Sequence, residues 1–86
     1  MGCKQNRPGP VTTALGFHLA RLRKARGWTQ WDVAGLVSER GRYMSPEVVL
    51  RIEHGLRKVD VDDLYAFANV FRTTPTSLLH KARRGR

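Results

Sequence analysis

The sequence predicts an all-α fold of five short helices, and three observations carry that expectation. Apolar residues recur at helical spacing, no stretch of useful length alternates as a strand does, and cap signatures precede one apolar run after another. Helix 1 is expected from Thr12 or Thr13, with Leu15, Leu19, Leu22 and Ala25 on one face and Gly27 as its left-handed stop. Thr29 and Asp32 form a capping box for helix 2, and Trp28 packs on Val33 as a hydrophobic staple. That helix carries Val33, Ala34, Leu36 and Val37 inward, with Gly35 read as permitting close packing. A polar connection from Ser38 to Met44, centred on Gly41, leads to the plainest helix start in the chain, Ser45-Pro46. Helix 3 faces Val49, Ile52 and Val48 inward, Met44 and Val49 form a staple, and Gly55 ends it. Asp60 caps helix 4, which has an acidic first turn and a Val59–Leu64 staple and runs through Val61, Leu64, Phe67 and Ala68 to Phe71. Thr74-Pro75 opens helix 5, which holds Leu78 and Leu79.

Eighty-six residues with a 41% apolar fraction make one small domain with a core of its own. Its expected limits are 13–80, between a flexible basic arm over 1–12 and a basic tail over 81–86. The arm contains Lys4 and Arg7 among Gly2, Pro8, Gly9 and Pro10. No apolar run is long enough to span a membrane, and the start lacks the apolar region of a secretory signal. The single cysteine, Cys3, has no intramolecular disulfide partner, which fits a reducing cytoplasm. Met1, Gly2 and Cys3 look like a lipidated start, but Asn6 stands where that motif wants Ser or Thr. His18, His54 and His80 lie far apart with no partner at ligand spacing, so no metal and no cofactor are expected. No nucleophile–base set can assemble around a pocket in so small a helical domain, so an enzyme is not expected, nor is a small-molecule ligand. Charge says the most: sixteen Lys and Arg against seven Asp and Glu give a net +9, which points to a polyanionic partner.

Two capped short helices joined by a turn and buttressed by others are compatible with a helix-turn-helix DNA reader. The run from Leu15 to Gln30, with Leu19, Leu22, Arg23, Gly27 and Thr29 in register and Val33 and Ala34 after it, resembles the opening of the lambda-repressor-like, or Xre, family. Val49, Arg51, Ile52, Glu53 and Gly55 resemble its third helix. Asp60 to Leu64, Ala68, and Thr74-Pro75 with Leu78 and Leu79 resemble its closing pair. The likeness covers residues 14–79. One departure is a lengthened connection between helices 2 and 3, several residues longer from Ala34 to Ser45 than the compact phage-repressor pattern.

The resemblance implies a compact lambda-repressor-like helix-turn-helix domain that binds double-stranded DNA as a homodimer, with helix 3 (46–54) in the major groove. By helical spacing Pro46, Glu47, Leu50, Arg51 and His54 point outward. Arg51 suits guanine O6 and N7, Glu47 cytosine N4, and Val48 or Leu50 a thymine methyl. The plainer alternatives are a phosphate for Arg51 and a favourable helix-start charge for Glu47. Gln30 and Thr29 at the start of helix 2 are expected at a phosphate, as are Ser45, Arg57 and Lys58, with Arg40 and Arg42 joining from the long connection. Arg57 and Lys58 also fit a plain solvated loop. Lys4 and Arg7 either follow the DNA or hang free, and Trp31 faces either DNA or solvent. The family also implies an internal ion pair between Arg23 and Glu53, and a dimer surface around Phe71, Leu78 and Leu79, unless those side chains close the monomer core.

The function expected is a transcriptional regulator of bacterial, phage or mobile-element type, a repressor before an activator, acting in the cytoplasm on the nucleoid. The alternative is an antitoxin-like or phage accessory adaptor whose main partner is another protein. The apolar outer positions Pro46, Val48 and Leu50 favour that second reading.

Overall fold

The structure, a computed structural model, describes residues 8–84. It contains five α-helices, α1 (Pro10–Ala25), α2 (Gln30–Glu39), α3 (Pro46–Glu53), α4 (Val61–Val70) and α5 (Pro75–Arg84), and no strand among the described residues.

Each helix start has a local chemical cause. The Thr29 hydroxyl accepts from the Asp32 amide at 3.1 Å while the Thr29 amide donates to Asp32 Oδ2 at 2.8 Å, closing a capping box on α2. Asp60 and Asp63 do the same for α4, at 2.8 and 3.3 Å. Ser45 accepts from the Val48 amide in front of Pro46 on α3, and Thr74 accepts from the Ser77 amide in front of Pro75 on α5. Helix α1 begins at Pro10 behind Gly9, so residues 10–12, assigned to the arm on sequence, are helical. Proline there fills the first helical position, where a missing N–H costs nothing, instead of marking a loop. Lys4, Arg7 and Arg86 lie outside the described residues.

Helix α1 packs along α5 and against α3, α2 packs on α3 and α4, and α4 on α5. Phe67, Leu19, Ile52, Leu78, Val33, Val37 and Val49 fill the centre, each with under 2 % of its surface exposed. Helix α5 continues to Arg84, past the expected limit at 80, because Ala82 is fully buried and draws the basic segment into the packed structure. Phe71 and Leu78 are 3 % and 1 % exposed and close the monomer core, which takes these two out of the expected dimer surface, while Leu79 is half-buried against the core. The Phe71 ring lies 5.7 Å from that of Trp28, and the Arg26 guanidinium covers both.

Two glycines reverse the sequence reading. Gly35 faces open space, with nothing near a side chain built on it, so it permits no close packing. Gly16 does: a Cβ there would run into the carbonyl oxygen of Ile52, so α1 and α3 approach at bare backbone. Ala25 and Val61, placed inward by periodicity, are exposed. After α4 the left-handed turn falls on Arg72 (φ 56°), whereas α1 uses Gly27 (φ 70°).

Candidate nucleic-acid interface

Helix α3 has one face in the core and one in solvent. Val49, Ile52 and Glu53 are buried, while Glu47, Leu50, Arg51 and His54 are exposed. Val48, offered as a base contact, is half-buried and packs on the core, and Pro46 is also half-buried. Leu50 is 37 % exposed and keeps an outward apolar surface. Arg51 donates from a terminal guanidinium nitrogen to Glu47 Oε2 at 3.1 Å, one turn apart on the exposed face. His54 donates through Nδ1 to the Leu50 carbonyl at 2.9 Å.

The inner end of α3 is held by a carboxylate with three donors. Arg23 Nε donates to Glu53 Oε2 at 2.7 Å and its Nη2 to Oε1 at 3.1 Å. The third guanidinium nitrogen reaches the Trp28 carbonyl at 2.9 Å. Gln30 Nε2 completes the set, donating to Glu53 Oε1 at 3.0 Å. The ends of α1 and α3 and the start of α2 therefore meet at Glu53, which is 6 % exposed. Two charges removed from water need this degree of satisfaction to coexist. The expectation for Gln30 was a phosphate; one N–H of its amide is instead used inside the protein, and the second is free of any partner among the described residues. The Gln30 and Trp31 backbone amides, first in α2, have no intrahelical acceptor and keep the positive end of that helix open to an anion. The Thr29 hydroxyl, like that of Ser45, accepts a capping bond and keeps its O–H as a donor.

Helices α2 and α3 are joined by residues 40–45. Arg40 donates to Asn69 Oδ1 at 2.9 Å and to the Leu36 carbonyl at 3.2 Å, tying the end of α2 to α4. Arg42 donates to Asp63 Oδ1 at 3.0 Å and Asp60 Oδ2 at 2.8 Å. The hydrogen bond it donates to Asp63, followed by the charges of Asp60, Asp63 and Asp62, holds the guanidinium still more firmly protonated than usual. Both arginines were expected at phosphates, and each is held in place by internal partners. Arg57 and Lys58, in the loop between α3 and α4, are exposed and form no ion pair or hydrogen bond among the described residues.

Sequence reasoning missed the Gln30–Glu53 bond and the clamp of Arg42 on the α4 cap, because neither pairing leaves a mark at short range. The contact at Gly16 had a faint signal, a glycine beside Leu15 on the apolar side of helix 1. Among the described residues no group of three or more His, Cys, Asp or Glu is placed to hold a metal ion, and no helix is long and apolar enough to cross a membrane.

Five helices with α2 and α3 as a capped, turn-linked pair, the second presenting a polar face, define a helix-turn-helix fold. The chain belongs to the helix-turn-helix domain family, whose model matches residues 14–80, in agreement with the lambda-repressor-like resemblance of the sequence. Comparison with curated proteins returned no match, and neither did comparison with solved structures.

Proposed function

We propose that this protein is a sequence-specific regulator that binds double-stranded DNA and reads the major groove with α3. The observation that carries the reading is the division of that helix. Its inner end is bolted to α1 and α2 through Glu53, while Glu47, Leu50, Arg51 and His54 stand in solvent. A rigidly held helix with exposed polar groups is what base readout requires, and the unpaired Arg57 and Lys58 supply phosphate contacts next to it. Arg51 is the guanine-reading residue, with Glu47 steadying its guanidinium or accepting from cytosine N4. The amides at the start of α2 take a further phosphate. Two copies on a two-fold operator, one helical turn between half-sites, and repression by occluding a promoter complete the reading.

Selection of binding sites from random duplexes, followed by titration at rising salt, tests it. A preferred site and a steep loss of affinity with salt are expected. Equal binding to every duplex, or none at moderate salt, overturns it. The adaptor alternative loses part of its basis, since Val48 packs on the core. It keeps one observation of its own, the exposed Leu56, Val61 and Tyr65, at 70, 68 and 61 %.

A further inference from the structure

Tyr43 is 85 % exposed, the most exposed large apolar side chain among the described residues. It forms no hydrogen bond among them, yet both of its neighbours are pinned. On one side Arg42 is clamped to Asp60 and Asp63 at the head of α4. On the other, Met44 is 3 % exposed in the core, and its backbone is gripped by a single hydroxyl. Ser38 Oγ accepts from the Met44 amide at 3.1 Å and donates to the Met44 carbonyl at 3.4 Å. The next residue, Ser45, caps α3. The fold thus presents a phenol at the entrance to α3 on a backbone fixed from both sides, and nothing in the monomer uses the ring.

We propose that Tyr43 is a DNA contact, its hydroxyl donating to a backbone phosphate and its ring lying against the neighbouring sugar where α3 enters the groove. The proposal rests on α3 being the reading helix. Neutral donors such as tyrosine are ordinary partners of phosphate oxygens, and the ring offers apolar surface with a polar tip. Because the segment is already ordered, little conformational freedom is lost on binding. Arg42 is then a positioning residue. It orients Tyr43 through its ion pairs with Asp60 and Asp63.

The test uses the full chain and a fluorescent duplex carrying the selected site, with a scrambled duplex alongside, each titrated at several salt concentrations. Wild-type binding is measured first, and if it fails on every duplex the DNA-reading function falls before Tyr43 is at issue. Tyr43→Ala should weaken binding to both duplexes by roughly tenfold, with an unchanged thermal melt. The slope of affinity against salt should stay as in wild type, because a neutral contact releases no counterion. Tyr43→Phe should show part of that loss. Arg42→Gln should weaken binding to a similar extent, and adding Tyr43→Ala to it should cost little more, since one change undoes the other's work. Wild-type affinity in Tyr43→Ala, or full affinity in Tyr43→Phe, overturns the contact. A loss confined to the selected site makes Tyr43 a base reader and overturns the phosphate assignment. A salt slope flatter by about one unit in Arg42→Gln makes Arg42 itself the phosphate contact and overturns its positioning role. Should Arg42→Gln fail to fold, the two Tyr43 variants still decide the contact.

Discussion

Gly16 of α1 and Ile52 of α3 touch backbone to backbone, with no room between them for a methyl group. The depth at which α3 sits against α1 is set there. Gly16→Ala must push α3 outward or strain α1, and overpacking of this kind costs about 1–3 kcal/mol. Gly35→Ala should do the opposite. Its site on α2 is open, so the substitution gains helix propensity, about 0.5–1 kcal/mol. Urea unfolding of the two variants checks both signs, and destabilisation by Gly35→Ala would contradict the open site.

Glu53→Gln should be among the most damaging single substitutions. It leaves the buried Arg23 guanidinium without its counter-charge, for which about 3–5 kcal/mol is expected. Replacing Arg23 and Glu53 together by Met should cost much less than the sum of the single changes. A double-mutant cycle in urea measures the difference, and additive losses would show that the pair is not coupled.

His18 gives a pH dependence with a definite sign. It is buried, and Arg21 donates to its Nδ1 at 2.9 Å, an arrangement open only to the neutral ring. Burial, with Arg21 and Lys81 assisting, holds its pKa below the usual histidine value. The unfolded chain therefore takes up a proton near pH ~6.5 while the folded one resists it. The His18 contribution should be flat above that pH and fall as pH drops from it towards the lowered folded value. The urea midpoint should decline between neutral and mildly acidic pH, and His18→Gln should flatten the decline. An identical profile in the variant would remove His18 as the cause.

Arg51→Ala and Lys58→Ala should separate reading from holding. The first should cost about 1–3 kcal/mol at one base position and relax selectivity there. The second should weaken all sequences alike and flatten the salt slope by roughly one unit. Competition binding with single-base variants of the selected site distinguishes them, and matching profiles would move the reading role away from Arg51.

What was legible in the sequence was what local chemistry dictates. Thr29 with Asp32, Ser45 with Pro46, Asp60 with Asp63, and Thr74 with Pro75 announce their helices because a cap acts within three residues. Long-range packing was harder to read. Ala25 and Val61 satisfy helical spacing but look into solvent, since periodicity marks a face and not its distance from a neighbour. Arg42 and Gln30 were placed outside because a polar residue in a loop or at a helix start ordinarily is. Their partners stand 18 to 23 residues away along the chain. The turn at Arg72 gave no warning, because the expected glycine is absent.

The pairing of α1 with α5 orders events during synthesis. The first helix leaves the ribosome with the side that α5 will cover still bare, and it stays bare until nearly the whole domain has been translated. Contacts so far apart in sequence close slowly compared with those between α2 and α3. A nascent chain halted before Ala82 would therefore expose apolar surface on α1, inviting chaperones or proteases. Docking of the last of the five helices covers that face.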